Sequence, residues 1–90
     1  MDIRRLVYGF WNAETHEVFD RDEGDEVLHG YNYRKLSDDE WDEVVRTGYN
    51  PCDYIRERFP ASGTGMADRL EYVSVEDAAA YAASHKVEGK

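Results

Sequence analysis

The 90-residue chain reads as one compact α+β domain spanning residues 1–90: a small, mainly antiparallel sheet, made of an N-terminal hairpin plus a later strand, with about three helices packed on one face. Three observations predict this. Apolar and polar residues alternate with a period of two near the N-terminus. Two helix starts carry strong capping residues in the middle of the chain. A third helix with a stripe of small residues follows a short β-like run near the C-terminus.

In order, "IRRLVYGFW" (3–11) reads as a strand with Leu6, Tyr8 and Phe10 on one face and Val7 and Trp11 on the other, so both faces carry aromatics. "NAET" (12–15) supplies a turn, and "HEVFD" (16–20) returns as the second strand of a hairpin before acids interrupt it. "VLHGYNY" (27–33) reads as a third strand or as an aromatic loop, because Gly30 and Asn32 weaken the strand pattern. Ser37 is a good N-cap, and Asp38, Asp39 and Glu40 place negative charge where the first-turn amides and the helix dipole favour it. The spacing predicts a helix to about Thr47, stopped by Gly48, with Trp41, Val44 and Val45 facing inward.

Asn50 and Pro51 start a second, shorter helix that the Phe59-Pro60 step ends, with Cys52, Ile55 and Phe59 inward. "ASGTG" (61–65) is a connector too short to separate domains, and "RLEYV" (69–73) reads as a further strand. Ser74, with Asp77 three residues on, approximates a capping box for a helix whose Val75, Ala78, Ala79 and Ala82 permit close packing on a sheet.

Composition excludes several classes. A hydrophobic fraction of 41% with 13% aromatics is too apolar for a disordered chain, although the mean hydropathy is −0.81. The longest apolar run, Leu6 to Trp11, is far below the roughly 20 residues of a membrane span. Arg4 and Arg5 precede too short an apolar segment for a secretory signal, and the single Cys52 cannot form an internal disulfide. A cytoplasmic location and no membrane partner are the resulting expectations.

The net charge of −9 sits in the middle of the chain: residues 20–43 carry ten carboxylates against Arg21, Arg34 and Lys35, a net −7. Nucleic acid is a poor direct ligand for such a surface, because binding it depends on cations that neutralise phosphates. The natural complement is a basic protein surface.

Two acidic blocks frame the candidate site. Asp22, Glu23, Asp25 and Glu26 form a mobile contact, while Asp39, Glu40 and Glu43 form an ordered one on the first helix. Tyr31 and Tyr33 lie between the blocks and are the expected aromatic anchors, since Tyr is enriched where proteins meet. A solvated turn and a solvated helix start are the competing readings: like-charge pairs four residues apart cost about 0.2–0.5 kcal/mol, and acids in a first helical turn recover about 0.3–1 kcal/mol.

Other chemistry is weaker. A calcium loop starting at Asp20 fails in register, with Gly24 at its fifth position and Tyr31 at its twelfth, leaving only a nonstandard site from Asp20, Asp22 and Asp25. Cys52 at a helix start is a candidate low-pKa thiol, though Asp53 opposes that and no His lies near it in sequence. His16, His29, His85 and Cys52 have the right types for zinc but not the close spacing. "GTGMAD" (63–68) lacks the third glycine of a dinucleotide loop.

The expectation is a non-enzymatic acidic interaction protein with no cofactor. It would act as an inhibitor or nucleic-acid mimic covering a basic surface, for instance that of a nucleic-acid-binding protein. In size and charge the chain is similar to small phage-encoded antagonists of anti-CRISPR or anti-restriction type, a likeness of character carried by no motif. The alternatives are a metal-binding or Cys-based small enzyme, or an accessory domain without a site.

Overall fold

The computed structural model describes residues 9–24, 27–59 and 70–89, without the side chain of Glu23. Its elements are β1 (Gly9–Asn12), β2 (Glu17–Gly24), β3 (Val27–Lys35), α1 (Asp38–Thr47), α2 (Pro51–Arg58), β4 (Glu71–Ser74), α3 (Val75–Ser84) and β5 (Glu88–Gly89). The strands form one sheet in the order β4-β3-β2-β1-β5, antiparallel at each pairing. The chain is α+β, as its patterning predicts. The expected first strand before Gly9 and the connector 61–65 lie outside the described residues.

The β1–β2 turn is built by Asn12. Its side-chain oxygen accepts from the backbone amides of Glu14 at 2.9 Å and Thr15 at 3.2 Å, and its carbonyl accepts from the His16 amide at 2.8 Å. His16 closes the turn in the left-handed region at φ 66°, a conformation in which His is enriched among non-glycine residues. Gly9 opens β1 at φ 146°, and a Cβ there would lie 2.0 Å from the Phe19 carbonyl oxygen. Only glycine lets β1 approach β2 this closely.

β2 does not stop at Asp20 as its acids suggest; it continues to Gly24 opposite β3. Low strand propensity of Asp and Glu is a weak preference, and the paired backbone of β3 outweighs it. The register shifts between Asp22 and Glu23, an irregularity of the bulge type.

All three helices were expected on one face; they cover both. Val18 and Phe19, adjacent in β2, sit in different cores, as alternation requires of neighbours on opposite faces. On one face, Phe10, Phe19 and Tyr31 pack against Ala78 and Ala82 of α3 and against Val87. On the other, Val18 packs with Val44 of α1 and Cys52, Tyr54 and Ile55 of α2, along with Leu36 and Leu70. The physical reason is that β1 and β2 carry large apolar side chains at both parities, Phe10 beside Trp11 and Val18 beside Phe19, and neither face can be left in water.

Under α3 the core is aromatic: the Phe10 and Phe19 rings stack with centroids 4.5 Å apart, and Tyr31 meets Phe10 edge-on at 5.4 Å. Alanines at 78 and 82 let the helix axis come down onto those rings. β4 and β5 are short edge strands, and β5 was not expected from sequence.

Helix boundaries follow the local signals. Ser37 Oγ accepts from the Glu40 amide while Glu40 accepts from the Ser37 amide, a complete capping box, and Gly48 ends α1 at φ 75°. Asn50 accepts from the Cys52 amide, with Pro51 at the first turn of α2. Ser74 is both the last residue of β4 and the N-cap of α3, accepting from the Asp77 amide.

Candidate functional site

The acids of α1 are sorted by helix geometry into two sets. Glu40 turns inward: besides capping Ser37 at 2.9 Å, it receives Arg34 Nη2 at 3.2 Å, and the Arg34 guanidinium lies 3.8 Å from the Phe59 ring centroid. Glu43 accepts from the Tyr54 hydroxyl at 3.0 Å and from Arg58 at 2.8 Å. The Tyr54 hydrogen bond, and then Arg58, hold the Glu43 carboxyl below the usual carboxylate range. Of the three acids expected to form the ordered contact, Glu40 and Glu43 are thus engaged by the fold itself. Asp39 is exposed.

Asp38 and Asp42, exposed like Asp39, complete an outward acidic set. The Asp38 side chain is 96% exposed, with one oxygen 3.5 Å from His16 Nδ1. His16 in turn stacks on Trp41 with ring centroids 4.8 Å apart. Arg46 in the last turn is the basic counterpart at the other end of the helix, and Val45 beside it is 65% exposed.

Of the expected aromatic anchors, Tyr31 belongs to the interior, which corrects its assignment as a surface contact. Tyr31 is wholly buried beneath α3. Tyr33 is half-buried and donates its hydroxyl to Glu17 Oε2 at 2.7 Å. The alternation Gly30-Tyr31-Asn32-Tyr33 was the available signal: in a strand it sends both rings to one face, here the face that α3 covers.

The first acidic block lies elsewhere. Asp22 is half-buried in β2 opposite Gly30; the side chain of Glu23, and Asp25 and Glu26 altogether, fall outside the described residues. Gly30 is five residues from Lys35, roughly 17 Å along β3 at about 3.3 Å per residue. The start of α1 is at the Lys35 end, since His16, beside the Glu17–Lys35 pair, touches Asp38. Charges in water about 17 Å apart are beyond the Debye length of ~8 Å at physiological salt. Asp22 and the α1 N-terminus are therefore not one electrostatic patch.

Asp20, a candidate cation ligand, is 2% exposed and gripped by Arg56 through two contacts, Nε at 3.1 Å and Nη2 at 2.7 Å. Burial raises its carboxyl above the ordinary aspartate value, with Arg56 opposing incompletely. Arg56 also reaches Asp53 at 3.6 Å. Asp20 is thus a staple between β2 and α2. Among the described residues, no three His, Cys, Asp or Glu side chains gather as a metal site.

Cys52 is fully buried and donates its thiol to the Phe19 carbonyl at 3.3 Å; burial pushes it far above the usual thiol range. A neutral, enclosed thiol is no nucleophile. His16 stacks on Trp41 and His85 on Tyr81, the latter with ring centroids 4.0 Å apart.

One polar hub was not foreseen. Glu17 accepts from Tyr33 and, at 2.8 Å, from Tyr81 of α3; Tyr81 in turn receives Asn12 Nδ2 at 3.0 Å. Burial raises the Glu17 carboxyl, but the hydrogen bonds from Tyr33, Tyr81 and Thr15 and the charge of Lys35 outweigh it, so its net shift is downward. Beside Asn12 a cavity of about 160 Å³ is lined by Ala13, Glu14, Lys86 and Glu88.

Among the described residues no helix is long and apolar enough to cross a membrane. Comparison with family models, curated proteins and solved structures finds no match to this chain.

Proposed function

We propose that this chain is an acidic interaction protein that docks on a basic protein surface through the outward face of α1, with Asp38, Asp39 and Asp42 as its contact charges. The sorting of carboxylates on α1 supports this reading: Glu40 and Glu43 are spent on Arg34 and Arg58, while Asp38, Asp39 and Asp42 project into water. Charges held on a capped helix keep fixed spacing, and fixed spacing is what a complementary cationic surface can match. A nucleic-acid-binding protein is the partner class that fits best, because its surface is built to receive regularly spaced phosphates. On this reading Asp22 lies outside the docking contact and adds to the field that steers encounter only at low salt, where screening is weaker.

The test is a titration of the labelled chain with a cationic helical peptide, followed amide by amide. Shifts gathered on residues 38–46, lost at high salt and lost in the combined Asp38→Asn, Asp39→Asn, Asp42→Asn variant, are expected. Shifts spread evenly over the surface would reduce the charge to a solvation role. Displacement of the chain by DNA from a nucleic-acid-binding protein would support the narrower mimic reading.

A further inference from the structure

We draw no further inference here: the strongest candidate, the exposed face of α1 around Asp38, Asp42 and Val45, belongs to the site already described, and nothing in the structure shows what covers it.

Discussion

The Tyr81 hydroxyl on α3 donates to Glu17 Oε1 on β2 at 2.8 Å, across 64 residues of sequence. Tyr33 donates to the other oxygen of the same carboxylate, so one side chain ties α3, β2 and β3 together. α3 also packs on the sheet through Ala78, Ala82 and the Tyr81 ring, whose centroid lies 4.8 Å from that of Phe19, and this polar latch supplements those contacts.

The latch predicts alkaline lability. Burial first, and Glu17 second, push the Tyr33 hydroxyl above its ordinary value of 10.0, and Tyr81 is raised as well. A raised folded value means that the neutral phenol is the folded form's preference, so this contribution is whole below about pH 10 and fades above it. Thermal melts should show Tm falling above pH 10, and falling less in a Tyr33→Phe, Tyr81→Phe double variant. Equal slopes in both proteins would refute the linkage. Glu17 has the opposite sign, its contribution being lost as pH drops below the ordinary 4.5.

Arg56→Ala should destabilise through Asp20. Removing one partner of a fully buried pair costs about 3–5 kcal/mol, and half-exposure of the Arg56 side chain argues for the lower part of that range or somewhat less, about 2–3 kcal/mol. Arg56 is what lowers the Asp20 carboxyl against burial, so without it the carboxyl is raised further, the variant takes up that proton more readily than wild type on acidification, and the penalty shrinks as pH falls. Urea midpoints of variant and wild type should therefore converge between pH 7 and pH 4. A gap that widens on acidification would mean that Asp20 is not the group responsible.

On α1, Glu40→Ala and Asp39→Ala should separate. The first removes half of the capping box and the Arg34 ion pair, a loss of about 1–2 kcal/mol; the second should change stability by less than about 0.5 kcal/mol. Binding of a cationic peptide should respond in the reverse order. Chemical denaturation and peptide affinity, measured on both variants, decide it.

Cys52 should resist alkylation in the native protein and be modified only as the chain opens. Its burial in the core with Val18, Val44 and Ile55, and its bond to the Phe19 carbonyl, leave its sulfur no access. Modification by a thiol reagent should speed up with added urea in step with unfolding; rapid labelling in native buffer would show that the sulfur is accessible after all.

Much of the helical part was legible because its signals are local. Ser37 with Glu40, Gly48, and Asn50 with Pro51 each fix a boundary through hydrogen bonds within four residues, and α1 begins and ends, and α2 begins, where those residues stand. What was illegible depended on partners distant in sequence. The extension of β2 through Asp22 to Gly24 is decided by β3, and β5 exists only because β1 has an open edge beside it. The fates of Glu43 and Asp20 hinge on Arg58 and Arg56, fifteen and thirty-six residues away. The chain pattern did hold a sign of two-sided coverage, in the apolar pairs Phe10-Trp11 and Val18-Phe19. Acid content marks a surface, whereas strand parity is what buries Tyr31.

Ser74 ends β4 and caps α3 in the same residue. With no intervening loop to absorb error, sliding of that outer strand must swing the rod that follows it, and an extra residue at the joint would turn the rod by about 100° and carry Ala78 and Ala82 off the rings beneath. Strand position and helix phase are one mechanical variable at this hinge-free corner.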